Sequence, residues 1–380
     1  MIYLDNAATS YPKPKQVARA MKWALEQCGN PGRGGHDLSL RAGQVVLGCR
    51  QALSDLFHVA DPFRIVFCYN CTDALNLALN GMIRHGGHVV TTVWEHNSVL
   101  RPLFAWVRRG IITWKIIRPD SSYLITAEAV RRAIELPNTC LVVINHVSNV
   151  TGVIQPIGEI AQVCRAAHVP LLVDGAQAAG HIPVDLSILS PDLYAFAGHK
   201  GLLGPQGTGG LYIGPAAWPE PLRRGGTGSA TRQLLQPDDM PDRYESGTLS
   251  TPGISGLWAG VEFLLRYGEL AHERSERALK MLTEGLRGIP GVTVYAPPGT
   301  PRAGVVAFNV GGMESVAVAE ALAERYGIAC RPGFHCAPLA HEFLGTSSTG
   351  AVRMSPGPFT TEREIEKTIR AVARIAAEAI

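Results

Sequence analysis

Short runs of apolar, β-prone residues recur along the first two thirds of the chain, with helix-like stretches between several of them. The runs that predict strands cover residues 64–68, 88–93, 111–117, 140–147, 170–173, 193–197 and 210–213. Helical spacing of apolar positions covers 73–84, 127–135 and 157–167. This alternation predicts an α/β domain around a largely parallel sheet, in which ligands bind beyond the carboxyl ends of the strands.

The pattern changes after about residue 252. A long helical stretch covers 254–287, strand-like segments follow at 291–295 and 304–309, and further helices are predicted at 315–326 and from about residue 361. We interpret residues 253–380 as a smaller α+β C-terminal domain that follows a large domain over 15–252. Residues 1–14 are predicted to form an N-terminal arm that crosses over to the smaller domain.

The composition of the 380 residues fits a soluble α/β enzyme and excludes some partners. The formal net charge is +3, and the chain has no run of five or more Lys or Arg, so neither a nucleic-acid nor a membrane partner is expected. No apolar stretch approaches 18 residues and no signal-peptide pattern is present, which makes the cytoplasm the expected location. The eight cysteines are expected to be free thiols, and no metal site is predicted.

Several residues directly after the predicted strands carry candidate chemistry. Thr72 precedes a helical pattern, so we expect it to cap that helix and to lie among free backbone N–H groups that could bind a phosphate. An ordinary capped helix is the alternative for this segment. His96 and Asn149 follow the second and fourth strands, although a His is often structural and Asn favours turns.

Asp174 and Lys200 follow two further strands and suggest a specific cofactor. A carboxylate at this edge of a sheet needs a cationic partner, and the protonated ring nitrogen of pyridoxal 5′-phosphate (PLP) is one, although Asp174 could instead cap a helix. Lys200 lies among small residues in A-G-H-K-G at 197–201, where a tight and partly desolvated loop lowers the pKa of an amine. We therefore predict that Lys200 holds PLP as a Schiff base.

With these residues in place, the chain resembles the class V, fold-type I PLP enzymes, in particular the short-loop, Suf-type members of the cysteine desulfurase and selenocysteine lyase family. The resemblance covers nearly the whole chain. Its motifs are Y-L-D-N-A-A-T at 3–9, R-G-G-H at 33–36, E-H at 95–96, S-N-V-x-G at 148–152, V-D-G-A-Q at 173–177, G-H-K at 198–200, E-S-G-T at 245–248, R-P-G-F-H-C-A at 331–337, and Arg353. It implies the PLP-dependent transferase fold of type I, with a mostly parallel seven-stranded sheet in the large domain, and a homodimer with shared active sites.

The resemblance also implies a role for each matched residue. The catalytic residues would be Lys200, Cys336 and His96, and the substrate would contact Arg353, Arg331, His36 and Asn149. The cofactor would be held by Cys71, Thr72, His96, Asn149, Asp174, Gln177, His199, Lys200 and, from the other subunit, Thr248. Two positions depart from the family pattern: Ala197 replaces a hydroxyl residue, and Asn70-Cys71-Thr72 replaces a Gly-Thr-Thr cradle.

PLP does not decide which bond is broken, so the prediction of the reaction depends on Cys336. This thiol lies in a glycine-containing loop beside a His and near an Arg, which favours a nucleophilic thiolate, with a buried inert cysteine as the alternative. The expected activity removes sulfur from L-cysteine, leaves L-alanine and a persulfide on Cys336, and passes the sulfur to an acceptor protein. The alternatives are a cysteine or cystine lyase that forms pyruvate, a selenocysteine lyase, and a non-catalytic sulfur-relay scaffold.

Overall fold

The computed structural model describes residues 1–32 and 34–379. Within these residues a seven-stranded sheet contains β2 (Ile65–Cys68), β3 (His88–Thr92), β4 (Thr113–Ile117), β5 (Thr139–Asn145), β6 (Leu171–Asp174), β7 (Leu193–Ala197) and β8 (Gly209–Ile213), in the order β2-β8-β7-β6-β5-β3-β4. Strand β8 runs antiparallel to both of its neighbours, β2 and β7, and the other pairs are parallel. The predicted seven-stranded, mostly parallel sheet is therefore confirmed, and the carboxyl ends of its other strands meet at one edge.

Helices cover both faces of this sheet, and the strands β2, β6 and β7 are therefore buried along their whole length, whereas the edge strand β4 is partly exposed. They are α1 (Lys15–Gln27), α2 (Asp37–Phe57), α3 (Cys71–Met82), α4 (Asn97–Arg108), α5 (Ala127–Ile134), α6 (Ile157–Ala166) and α7 (Leu186–Leu189). The sequence reasoning missed α1, α2 and α4. On α2 the exposed Leu40 and Leu47 blur the apolar stripe, and α4 contains Pro102, which disfavours a helix interior.

The remaining elements form a second layered unit. They are α8 (Thr251–Arg287), β9 (Val292–Val294), β10 (Val306–Val310), α9 (Ser315–Tyr326), β11 (Ile328–Ala329), α10 (Pro338–Phe343), β12 (Val352–Met354) and α11 (Glu362–Ala379). The strands β12, β10 and β9 form an antiparallel sheet, and β1 (Ile2–Tyr3) pairs with β11. Helix α8 contributes Leu257 to the core of the large sheet and Leu282 to the core of the small one, so the predicted boundary at 252–253 stays a prediction.

Three local predictions need correction. Helix α3 is capped by Asn70 and not by Thr72, because the Asn70 side chain accepts a hydrogen bond from the N–H of Asp73 at 2.9 Å. Asp174 does not cap a helix, since its carboxylate accepts from the N–H of Ala176 at 2.9 Å within a turn. Strand β4 begins at Thr113, two residues after the predicted start.

Within the described residues, no helix is both long and apolar enough to cross a membrane.

Candidate active site

A cavity lies at the carboxyl ends of the large sheet and collects most of the predicted cofactor residues. It is lined by Asn70, Cys71, Thr72, Leu75, His96, Ser98, Asn145, Val147, Asn149, Asp174, Ala176, Gln177, Ala197, His199 and Lys200. All predicted cofactor residues except Thr248 are in this set. The strands bring them together because each residue ends a strand or follows the end of a strand within about two helical turns.

Asp174 is the last residue of β6, and its carboxylate contacts the side chain of Cys71. The Sγ of Cys71 lies 3.5 Å from Oδ1 of Asp174, within the distance of a weak thiol donor. Burial raises the pKa of Cys71 well above its ordinary value, and the Asp174 carboxylate raises it further, so the group stays a thiol. The Cys71 side chain therefore contacts the carboxylate that was predicted to pair with a pyridinium.

Lys200 lies in a loop that is anchored by hydrogen bonds from the N-terminal residues. The carbonyl oxygen of His199 accepts hydrogen bonds from the backbone N–H of Ser10 at 3.0 Å, from the hydroxyls of Thr9 and Ser10 at 3.1 Å each, and from Nζ of Lys13 at 3.2 Å. Burial lowers the pKa of the Lys200 amine, and nearby Asp174 opposes this change. The sequence reasoning did not identify Lys13, because nothing in the local pattern connects it with Lys200.

His96 caps α4 and is held as a neutral ring. Its Nδ1 accepts a hydrogen bond from the N–H of Ser98 at 3.1 Å, and burial lowers its pKa to about 4. The preceding Glu95 is fully buried. Its Oε1 accepts from Thr92 at 2.7 Å and from the N–H of Asn145 at 3.1 Å, while burial raises its pKa to about 8. Glu95 is therefore a neutral carboxylic acid near pH 7, which sequence reasoning missed.

Several polar atoms of this cavity have no partner within the described residues. Asn149 donates to the carbonyl of His335 at 2.7 Å and Gln177 donates to the carbonyl of Ala7 at 3.0 Å, which leaves Oδ1 of Asn149 and Oε1 of Gln177 buried and unpaired. Nδ1 of His199 is buried and unpaired as well. Buried polar atoms of this kind cost free energy unless a ligand supplies partners.

The unpaired groups fit PLP. The first N–H groups of a helix lack intrahelical partners, and Asn70 satisfies only that of Asp73, so the amides of Cys71 and Thr72 stay open to a phosphate. Asp174 suits the pyridinium nitrogen, and the amide groups of Asn149 and Gln177 suit a ring hydroxyl. The donor set therefore matches each polar end of this cofactor.

Arg353 lies in β12 and is almost completely buried. Its guanidinium donates to the carbonyl of Asn149 at 2.9 Å and to Oδ1 of Asp5 at 3.1 Å, and its Nε has no partner among the described residues. Burial lowers the pKa of Arg353 to about 10, and Asp5 opposes this effect. Arg331 forms a backbone bridge with Arg353, with N···O distances of 3.1 and 2.8 Å, so it lies directly beside the arginine that contacts the cavity residue Asn149.

The loop that carries Cys336 is anchored beside the cavity at two points. The carbonyl of His335 accepts from Asn149, and the carbonyl of Cys336 accepts from the N–H of Asn97 at 2.7 Å. His335 and Cys336 both have positive φ, 50° and 56°, a backbone conformation that non-glycine residues adopt at an energetic cost. Cys336 is only half-buried, which argues against the alternative of a buried inert cysteine.

Two predicted site residues lie elsewhere in the single chain. Thr248 is exposed and lines a separate cavity with Arg50, and the buried ion pair between Arg50 and Glu245, with N···O distances of 2.9 and 2.8 Å, fixes the base of its loop. His36 is exposed and caps α2 by accepting from the N–H of Ser39 at 3.4 Å. Their predicted roles stay predictions, and Arg33 of the R-G-G-H motif lies outside the described residues.

Comparisons with known proteins agree with this site. The family model described as "Aminotransferase class-V" matches residues 2–368. A probable cysteine desulfurase of Methanothermobacter thermautotrophicus is 33% identical and covers 96% of this chain and 92% of that protein. A cysteine desulfurase of Yersinia pestis is 32% identical and covers 99% of this chain and 93% of that protein.

Solved structures give the same result. The apo structure of a cysteine desulfurase from Thermococcus onnurineus superimposes with a TM-score of 0.91 at 32% identity, over 99% of this chain and 95% of that one. The cysteine desulfurase CsdA from Escherichia coli superimposes with a TM-score of 0.86 at 26% identity, over 100% and 95% of the two chains. The chain therefore belongs to the class V aminotransferase family, which confirms the predicted family and fold class.

Proposed function

We propose that this chain is a PLP-dependent cysteine desulfurase that collects the sulfur of L-cysteine as a persulfide on Cys336. The observation that carries the proposal is the anchoring of the Cys336 loop: Asn149, which lines the cavity with Lys200, donates to the residue directly before Cys336. A half-buried thiol is thus tied to the same residue that contacts Arg353. The names of the full-length relatives support this activity.

The cofactor contacts are part of the proposal. Asp174 would hold the pyridinium nitrogen, Asn149 and Gln177 the ring hydroxyl, and the amides of Cys71 and Thr72 with His199 the phosphate. When bound, PLP supplies an electron sink that stabilises negative charge at Cα of an amino acid. His96 would cover the ring. The absence of a hydroxyl at Ala197 leaves the phosphate with one fewer side-chain donor than the family pattern has.

Different residues of the chain then bind L-cysteine and remove its Cα proton. The guanidinium of Arg353 binds the carboxylate, for which the unpaired Nε provides a second parallel N–H donor. The pKa of Lys200 is lowered by burial, so a larger fraction of its amine is neutral and able to remove the proton from Cα. Arg331 and His36 would line the substrate side.

Cys336 takes the sulfur. Its thiolate attacks the substrate sulfur, the bond between Cβ and that sulfur breaks, and the electron pair remains with the carbon part. This part gains a proton at Cβ, regains the proton that Lys200 removed from Cα, and leaves as L-alanine. The sum is L-cysteine plus the Cys336 thiol giving L-alanine plus the Cys336 persulfide, so no external oxidant is needed. A separate acceptor protein would then remove the outer sulfur.

A homodimer with shared sites is the second part of the proposal. Thr248 does not line the Lys200 cavity of its own chain, and the surface near it carries the exposed Leu47 and Phe63. Apolar side chains of this kind favour contact with a second copy, which would bring Thr248 to the phosphate of the partner.

We also propose that the protein is cytoplasmic, since its eight cysteines are free thiols. Within the family, we assign it to the short-loop, Suf-type members.

The test is product analysis combined with mass spectrometry. The holoprotein is incubated with L-cysteine, alanine and pyruvate are quantified, and Cys336 is examined for the added mass of one sulfur atom. We expect alanine, one persulfide on Cys336, and loss of both in Cys336→Ala. Cys28→Ala is the control, because Cys28 is also partly exposed but lies at the end of α1.

The alternatives give different results. Pyruvate in place of alanine would identify a β-eliminating lyase, and unchanged turnover in Cys336→Ala would refute the role of this thiol. A much higher kcat/KM for L-selenocysteine than for L-cysteine would identify a selenocysteine lyase. Bound cofactor without turnover of any of these substrates would leave the scaffold as the explanation. Light scattering on the eluting protein tests the dimer.

A further inference from the structure

Ser98 lies between His96 and Thr72 and contacts both. Its hydroxyl oxygen is 2.8 Å from Nδ1 of His96 and 2.7 Å from Oγ1 of Thr72, and its backbone N–H donates to the same Nδ1 at 3.1 Å. Ser98 is buried and lines the cavity around Lys200. The three side chains therefore form a hydrogen-bonded chain from the imidazole to the end of the cavity where the amides of α3 are open.

The donors in this chain determine the tautomer of His96. A backbone N–H can only donate, so Nδ1 of His96 accepts and the proton of the neutral ring lies on Nε2. Burial, with Lys200 and the two arginines Arg331 and Arg353, lowers the pKa of the ring, and only Asp174 raises it. The ring therefore stays neutral near pH 7 and offers a single N–H, at Nε2.

Two hydroxyl protons, those of Ser98 and Thr72, are available to this series of hydrogen bonds. With Nδ1 as acceptor, Ser98 donates to the imidazole and Thr72 donates to Ser98, which uses both protons. A dianionic phosphate at Thr72 adds a third contact, and its oxygens can only accept. Three contacts then share two protons. Phosphate binding at Thr72 therefore weakens the hydrogen bond that Ser98 donates to Nδ1 of His96.

We propose that Ser98 is a positioning residue that fixes the orientation and tautomer of His96 and couples this ring to the phosphate end of the cavity. The coupling to phosphate rests on the proposed place of the cofactor, whereas the hold on His96 depends on the residues of this chain alone. Sequence reasoning did not single out Ser98, because a serine in the first turn of a helix is common.

The test is histidine-specific ¹⁵N NMR of the holoprotein and of the cofactor-free protein, with the His96 signal identified by its loss in His96→Gln. The parent is expected to show the Nε2–H tautomer. In Ser98→Ala the pKa of His96 rises by about one unit, because the neutral ring loses one hydrogen bond. Ser98→Thr keeps the hydroxyl and restores the parental pKa.

The coupling has its own readout in the cofactor-free protein. Inorganic phosphate is added as the probe, and the Nδ1 chemical shift of His96 is followed. We expect a larger phosphate-induced change in the parent than in Ser98→Ala. Ser275→Ala is the control, since Ser275 donates to the carbonyl of Ala271 on α8, away from the site, and it should behave as the parent.

Two results would overturn the proposal: an unchanged His96 pKa in Ser98→Ala, or equal phosphate-induced changes in that variant and the parent. Neither readout uses turnover of cysteine. A protein that lacks desulfurase activity can therefore still pass this test, and a true desulfurase can fail it.

Discussion

The thiol sulfur of Cys71 lies 3.5 Å from Oδ1 of Asp174, in a position where the family pattern has a hydroxyl residue. Because burial raises the pKa of Cys71 well above its ordinary value, the thiol stays protonated and can donate to the carboxylate. The replacement of the Gly-Thr-Thr cradle by Asn70-Cys71-Thr72 was expected to alter phosphate binding. It also affects the opposite end of the cofactor, where Asp174 would meet the pyridinium.

The first prediction concerns this contact. Cys71→Ala should change the dissociation constant of PLP by less than about fivefold, because an S–H group is a weak donor. Asp174→Ala, which removes the partner of a buried cation, should weaken binding by more than about 100-fold. Fluorescence titration of the cofactor-free proteins measures both. A loss in Cys71→Ala as large as that in Asp174→Ala would mean that the thiol itself holds the cofactor.

The second prediction concerns Arg353. Arg353→Lys keeps the charge but loses the parallel N–H pair, so the dissociation constant of L-cysteine should rise by about 10- to 100-fold. Cysteamine, which lacks the carboxylate, should bind the variant and the parent equally well. Both constants come from the change in absorbance of the bound cofactor.

Arg325→Lys serves as its control, since Arg325 is exposed and pairs with Glu378. Equal losses of affinity for L-cysteine and cysteamine in Arg353→Lys would contradict a carboxylate-binding role.

The third prediction concerns the hydrogen bonds that the N-terminal residues donate to the Lys200 loop. Lys13→Met removes one of four donors to the carbonyl of His199, so kcat should fall by about three- to tenfold, which corresponds to one typical hydrogen bond of about 1 kcal/mol. Lys15→Met, on the exposed start of α1, should leave kcat unchanged. Steady-state kinetics compares the two variants, and an equal effect of both would refute a specific role of Lys13.

The fourth prediction concerns Glu95 and pH. Its pKa is raised by burial from 4.5 to about 8, so the folded protein binds one more proton than the unfolded chain between these values. The stabilisation by the neutral carboxyl is complete below pH 4.5 and is lost as the pH rises toward 8, at about 1.4 kcal/mol per pH unit. Glu95→Gln, which is always neutral, should lack this loss of stability with rising pH.

Urea unfolding of cofactor-free protein at pH 6 and pH 8 checks this expectation. The free energy of unfolding of the parent should fall more than that of Glu95→Gln. Glu262→Gln, at an exposed position on α8, should behave as the parent. Identical pH dependence in Glu95→Gln and the parent would show that Glu95 is already ionised in the folded protein at pH 6.

The sequence alone determined the architecture and the main members of the site. Apolar runs with intervening helical spacing predicted the parallel sheet, and the side chains after those runs, from Thr72 to Lys200, do line one cavity. This worked because strand ends and buried runs leave local patterns, and because parallel strands bring their carboxyl ends to one edge.

Only the tertiary structure decided how that site is held and charged. Asp5 reaches Arg353, and Thr9, Ser10 and Lys13 reach the carbonyl of His199. Hydrogen bonds between residues so far apart in the chain have no counterpart in local periodicity. The neutral state of Glu95 likewise follows from complete burial, which depends on every element packed around it and not on the residues beside it in the sequence.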